Sequence, residues 1–276
     1  MSSSLVSLPS PRSPEQIERR IREGGRAVVA LSGGVDSSLV AALAYSALGS
    51  EATAVTLTGA AVSSAETARA TRVASEIGIA HVLLPADPLS SPEYRENRPD
   101  RCYFCRSVET SALLEFGRER SVRQYLDGVH RDDLRDDRPG LRAMDEAGFT
   151  HPLLWAEWGK SDVRAEAQRR RLPNWDQPSD ACLASRIAHG DPVTRELLRR
   201  IEAAEIVVLD RGFRRVRVRV HGSSARVEVD PGEVPRLRAE PLAGEVVRAI
   251  SGLGFSTVEL DPRGYRGAAP GPAPTP

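Results

Sequence analysis

The sequence predicts an α/β protein in which a parallel sheet carries helices on both faces and is followed by a smaller α+β domain. Three observations carry that prediction. Short apolar runs alternate with helix-length segments from residue 14 to residue 127, the pattern of parallel strands linked by crossover helices. A glycine turn, Ser32-Gly33-Gly34, stands directly between one such run and the next helix. Beyond residue 190 the alternation gives way to two closely spaced strands joined by a short turn.

In chain order, a first helix is expected over 14–23 and a buried strand over 26–31. A helix then runs from the glycine turn to residue 48, and the unit repeats as strand 52–57, helix 63–77 and strand 81–85. A helix over 105–119 and a strand over 124–127 extend the sheet. Nucleotides bind such sheets at the carboxyl ends of the strands. The second domain is expected to hold a helix over 193–209, strands over 214–220 and 225–230 around His221-Gly222-Ser223-Ser224, a helix over 245–251 and a strand over 256–260. Residues 1–13 are rich in Ser and Pro and 266–276 in Gly, Ala and Pro, so both ends are expected to be disordered. The expected domains are therefore 14–190 and 191–265.

Lysine plus arginine equals aspartate plus glutamate at 38 each, so no global field draws the chain to nucleic acid or to a membrane. No apolar run approaches the roughly 20 residues that span a bilayer, and the N-terminus lacks a charged stretch followed by a hydrophobic one. Three cysteines in 276 residues make no extracellular disulfide framework, and in a reducing compartment they read as metal ligands or catalytic thiols. The cytoplasm is the expected location. The basic residues are almost all arginine, and Lys160 is the sole lysine.

The segment Ser32-Gly33-Gly34-Val35-Asp36-Ser37-Ser38 joins a buried strand to a helix. Glycines there let the backbone approach an anion, successive N–H groups wrap its oxygens, and the helix N-terminus adds partial positive charge. The hydroxyls of Ser32, Ser37 and Ser38 supply further donors. Phosphate alone would repel Asp36, so its presence points to a Mg²⁺ bridging carboxylate and phosphates. The pattern is neither Walker A nor the Rossmann fingerprint. It resembles the signature of the PP-loop ATP pyrophosphatases, Ser-Gly-Gly-x-Asp-Ser, matched in full at 32–37. That resemblance implies an adenine nucleotide alpha hydrolase-like fold and cleavage of ATP between its α and β phosphates. Asp127-Gly128, at the end of a later strand, is expected on the same sheet edge near the nucleotide.

Cys102 and Cys105 form a Cys-x-x-Cys pair, which reads as a redox dithiol, half a zinc site or two ligands of an iron–sulfur cluster. Cys182 stands in Pro178-Ser179-Asp180-Ala181-Cys182-Leu183-Ala184-Ser185-Arg186, where Arg186 is expected to lower its pKa. With these residues assembled, the chain resembles the LarE-type ATP-dependent sulfur transferases of nickel-pincer nucleotide cofactor biosynthesis. The likeness runs from the phosphate loop through 101–106, Asp132-Asp133 with Arg138-Pro139-Gly140, Gly159-Lys160-Ser161, Leu172-Pro173 and 181–186 to Gly264-Tyr265-Arg266. Two departures stand out: Asp127-Gly128-Val129-His130 replaces the usual Asp-Gly-Thr-Asn, and Arg106 replaces a lysine.

The resemblance implies adenylation of pyridinium-3,5-biscarboxylic acid mononucleotide and conversion of its carboxylates to thiocarboxylates. Sulfur would come either from Cys182 itself, which is consumed, or from a [4Fe-4S] cluster held by Cys102, Cys105 and Cys182. Cysteines at all three positions and nowhere else favour the cluster, with zinc a lesser reading. The substrate's anionic groups call for cations: Lys160, Arg186, and Arg217 with Arg219, which alternate with Val216, Val218 and Val220 and so share one strand face. The expected partners are this small nucleotide and further copies of the chain in a homo-oligomer, with neither nucleic acid nor membrane. A tRNA thiolase, an amidating PP-loop enzyme and a non-catalytic nucleotide-binding regulator are the rival readings.

Overall fold

The computed structural model describes residues 13–135, 139–178 and 180–267. Arg138, Ser179 and most of the two ends expected to be disordered lie outside the described residues. The chain forms two compact units that interleave along the sequence. The first comprises residues up to Thr58, Ser64–Pro85 and Glu109–Ser179; the second comprises Gly59–Ser63, Ala86–Val108 and the residues from Asp180 onward.

The first unit holds a four-stranded, wholly parallel sheet of strands β1 (Ala27–Ala30), β2 (Ala52–Thr58), β3 (Ala80–Pro85) and β4 (Gln124–Leu126). Their order, β3-β2-β1-β4, places β1 inside the sheet. The chain winds outward from β1 to β3 and then returns to the other side of β1, which makes the carboxyl ends of β1 and β4 the switch point where such sheets receive ligands. Helix Val35–Leu48 is apolar on every face, with Leu39, Val40, Ala41, Leu43 and Ala44 fully buried. Its alanines let helices Pro14–Gly24, Ser64–Ile77 and Lys160–Arg169 pack closely around it. Helix Pro14–Gly24 contributes Ile17 and Ile21, four residues apart on one face and both fully buried.

The second unit contains a three-stranded mixed sheet of β5 (Val216–His221), β6 (Ser224–Val229) and β7 (Thr257–Leu260). β5 and β6 form an antiparallel hairpin, and β7 joins β6 in parallel. Val218 and Val227, opposite each other in the hairpin, share a core with Leu198 and Ile201 of helix Arg195–Leu209 and with Val246 and Ile250 of helix Leu242–Ser251.

The sequence expectation of a parallel sheet with flanking helices and a smaller mixed sheet is met. The helix expected over 105–119 instead spans Arg101–Arg118, so both cysteines of the Cys-x-x-Cys pair lie inside the helix near its start. The short helices Pro92–Arg95, Pro139–Glu146, Pro152–Trp155 and Val234–Leu237 had no counterpart in the sequence reading, because a one- or two-turn helix is too brief for its periodicity to register. Among the described residues no helix is long and apolar enough to cross a membrane.

Candidate active site

Leu31 extends β1 by donating its N–H to Val55 O at 2.9 Å, and the chain then turns through Ser32, Gly33 and Gly34 into helix Val35–Leu48. Gly33 has φ +78°, and a Cβ there would stand 2.9 Å from Ala70 N, so both conformation and packing demand glycine. At Gly34, by contrast, an added Cβ would meet only Ser32 Oγ, at an ordinary van der Waals distance of 3.4 Å. The three serines brace the turn: Ser37 Oγ accepts from Ser32 N at 3.2 Å, Ser38 Oγ donates to Gly34 O at 2.7 Å, and the Ser32 and Ser37 hydroxyls lie 3.1 Å apart. The first N–H groups of helix Val35–Leu48 have no intrahelical acceptor, and the positive end of the helix dipole lies with them.

Gly128, just beyond β4, sits against this helix start. A Cβ there would meet Ser37 N at 2.6 Å, so the glycine lets the two carboxyl-end turns close on each other. The Asp127 carboxylate faces inward. It accepts from Val129 N at 2.9 Å and pairs with His151 Nδ1 at 2.8 and 2.9 Å, while His151 Nε2 meets Asp145 at 2.7 Å. Burial disfavours the charged imidazole, but the two carboxylates prevail and push the His151 pKa up to about 9.

Asp36 is engaged by Lys160, whose Nζ reaches both carboxylate oxygens at 2.7 and 2.6 Å. The lysine opens helix Lys160–Arg169 and is positioned by its own N–H, which donates to Asp132 at 2.7 Å. Buried His130 stands 3.6 Å from Asp36 and 3.6 Å from Asp133. A single carboxylate at the edge of a phosphate loop suits Mg²⁺, which takes one or two protein carboxylates and completes its shell from phosphates and water. In the structure the lysine ammonium supplies the positive charge facing Asp36.

The second unit carries all three cysteines. Cys102 and Cys105 are one turn apart on helix Arg101–Arg118 and hence on the same side of it. Cys182 precedes the short helix Leu183–Arg186, and both Cys105 and Cys182 pack against the second unit's core. Two buried arginines fasten this region. Arg101 donates to Ala184 O at 2.9 Å and to Asn97 Oδ1, and Asn97 in turn donates to Ala188 O at 2.7 Å and Asp191 O at 2.8 Å. Arg186 clasps Glu205 at 2.9 and 3.1 Å and donates back to Cys182 O at 3.0 Å. Arg186 does pull the Cys182 pKa down, as expected, but the net shift is upward. Burial pushes the thiol up, the neighbouring Cys102 adds to this, and Arg101 and Arg186 pull it down without cancelling the effect.

Three thiols and no fourth match the donor chemistry of a cluster with one open iron. Among the described residues, however, no three His, Cys, Asp or Glu side chains are gathered closely enough to hold a metal ion. Arg217 and Arg219 share the predicted face of β5, but that face is covered: Arg217 is 8% exposed and donates to Asp180 at 2.7 Å, and Arg219 pairs with Glu228 at 2.9 Å. Asn97, His151 and Asn174 escaped the sequence reading, and Arg101 entered it only as the first residue of the cysteine segment. Their partners lie mostly far along the chain, and no local spacing announces them.

A phosphate-type loop at the carboxyl end of an interior parallel strand defines an ATP-using enzyme of the PP-loop class, and residues 14–95 match the asparagine synthase family model. The chain is 38% identical to an uncharacterized protein of Synechocystis sp., covering 91% of this chain and 94% of that protein. It is 34% identical to the pyridinium-3,5-bisthiocarboxylic acid mononucleotide synthase of Lactiplantibacillus plantarum, covering 87% of each. The tRNA-specific 2-thiouridylase MnmA of Acidiphilium cryptum is 30% identical over 88% of this chain and 79% of its own length. Within the class, the chain belongs to the LarE-type family of ATP-dependent sulfurtransferases.

Proposed function

We propose that this enzyme, working in the cytoplasm, adenylates a carboxylate of pyridinium-3,5-biscarboxylic acid mononucleotide and converts it to a thiocarboxylate. The observation that carries this reading is the 34% identity, over 87% of both chains, to the synthase named for the bisthiocarboxylic product. A carboxylate oxygen attacks the α-phosphorus of ATP, the bond to the β-phosphate oxygen breaks, and pyrophosphate leaves an acyl adenylate. A sulfur nucleophile then attacks the acyl carbon and AMP departs with the former carboxylate oxygen. Activation must come first because an unactivated carboxylate oxygen is a very poor leaving group.

In this reading Ser32, Gly33, Gly34, Ser37 and Ser38 hold the pyrophosphate moiety, Asp36 holds Mg²⁺, and Asp127 and Gly128 border the nucleotide. Lys160, handed over from Asp36 to an anionic oxygen, neutralises the substrate, joined by Arg217 and Arg219 only if these leave Asp180 and Glu228, while Arg186 anchors the Cys182 segment. Cys102, Cys105 and Cys182, not gathered in this structure, would have to draw together to hold a [4Fe-4S] cluster, which when bound supplies sulfide. The alternative source is the Cys182 thiolate itself: it forms the acyl–sulfur bond, its Cα proton is lost to a base, and cleavage of Cβ–S releases the thiocarboxylate and leaves dehydroalanine. The assembly proposed is a homo-oligomer.

The likeness to MnmA favours a tRNA thiolase as the second reading. That reading needs a broad basic surface for RNA, which a chain with 38 basic and 38 acidic residues does not readily supply.

Asp36→Ala tests the nucleotide half of the proposal. AMP and pyrophosphate release should fall by at least about a hundredfold, the scale expected when a positioned charge is removed from a transition state. The melting temperature should stay within a few degrees, since a part-exposed ion pair contributes only ~1 kcal/mol or less. Undiminished pyrophosphate release would remove Asp36 and its loop from the reaction.

A further inference from the structure

The phosphate loop is gripped from behind by a side chain distant in sequence. Asn174, 4% exposed in the turn region after helix Lys160–Arg169, donates from Nδ2 to Gly33 O at 2.8 Å and to Ser38 Oγ at 2.9 Å. The Ser38 hydroxyl commits its own hydrogen to Gly34 O at 2.7 Å, so it can only accept from Asn174. A backbone carbonyl also only accepts. Both partners are therefore acceptors, and they settle which way the amide points: two hydrogens meet two acceptors. Asn174 Oδ1 is left buried with no partner among the described residues. An unpaired buried carbonyl is destabilising, so the two donated bonds outweigh it.

The consequence lies in the Gly33-Gly34 peptide. In a trans peptide the C=O and the following N–H point in opposite directions. With the Gly33 carbonyl drawn onto Asn174, the Gly34 N–H faces the other way, where it makes only a long 3.3 Å bond to Ser32 Oγ. Glycine is permissive on both sides of this peptide, and Gly33 sits at φ +78°, so little in the local chain opposes rotation of the peptide plane. We propose that Asn174 is a positioning residue that locks this peptide with its N–H outward, in the orientation that receives the pyrophosphate portion of ATP. This rests on the reading of residues 32–38 as the phosphate loop.

The test is calorimetric binding of inorganic pyrophosphate and, separately, of AMP, each with Mg²⁺, to the full-length wild type and to Asn174→Asp. The substitution is isosteric but turns oxygen lone pairs toward two acceptors. Pyrophosphate affinity should fall about 10- to 100-fold while AMP affinity changes by less than about twofold. Acidification should restore part of the pyrophosphate affinity in the variant and not in the wild type, because protonation returns one donor to the introduced carboxyl. Equal pyrophosphate affinity in wild type and variant, or equal weakening of pyrophosphate and AMP, would overturn the inference. Should Asn174→Asp fail to fold, Asn174→Ala, which removes the donors without adding repulsion, is read in the same way. A wild type that binds no pyrophosphate would instead overturn the loop reading, and the inference with it.

Discussion

Lys160 and Asp36 form a pair whose partners come from opposite ends of the first unit's sequence and meet with both carboxylate oxygens engaged. Because Lys160 is the sole lysine, amine-selective acylation has one side-chain target, and the reaction reports directly on this contact. Asp36→Asn should speed acylation of Lys160 about two- to fivefold, the kinetic equivalent of losing a part-exposed ion pair. ATP with Mg²⁺ should slow it in the wild type as the ammonium passes to an anionic oxygen and is covered. Peptide mapping by mass spectrometry separates this site from the N-terminal amine. An acylation rate indifferent both to ATP and to Asp36 would show that the lysine takes no part in nucleotide binding.

At the scale of elements, the turn after β4 is tied down by ionic contacts. Asp127, His151 and Asp145 link that turn to helix Pro139–Glu146 and to the start of helix Pro152–Trp155. His151 has its pKa raised in the fold, to about 9 from 6.5. Its stabilisation, on the order of 3 kcal/mol as an upper figure, is therefore complete below pH 6.5 and is lost as pH rises through 9. His151→Gln should lower the melting temperature by several degrees at pH 7, and the gap to wild type should narrow by pH 10. A gap that stays constant from pH 7 to 10 would mean that the imidazole charge contributes nothing. The sheet itself was legible from sequence, because apolar periodicity and glycine turns are local signals and strands such as Ala52–Thr58 carry them in adjacent residues. So was the phosphate loop, whose chemistry is contained in seven consecutive positions. The polar contacts between distant segments were not legible: Asn174, which holds the loop, lies 141 positions from Gly33, and in the cysteine region of the second unit Arg101 lies 83 from Ala184. The arginines of β5 were read correctly as sharing a face. Their acidic covers, Asp180 and Glu228, were hidden because one comes from another segment and the other from the partner strand.

For the whole molecule the open chemical choice is the origin of sulfur, and it is decided by stoichiometry. If the three cysteines share a cluster, anaerobically reconstituted protein should hold about four irons per chain. Removing any one thiol should then lower both iron content and turnover, and with added sulfide each polypeptide should complete several transfers. Cys182→Ala should stop sulfur transfer in either case while sparing AMP release. Dehydroalanine at position 182 after a single turnover, with full activity in Cys102→Ala/Cys105→Ala, would reject the cluster and establish the sacrificial route. The interleaving of the two units bears on synthesis. The segment carrying Cys102 and Cys105 belongs to the unit most of whose core lies beyond residue 180. On the ribosome, that segment emerges well before Leu198, Val218 and Val227, the residues that complete its core. Throughout that interval Cys105 lacks the apolar core against which it packs in the finished fold, whereas Cys102 is exposed in that fold as well.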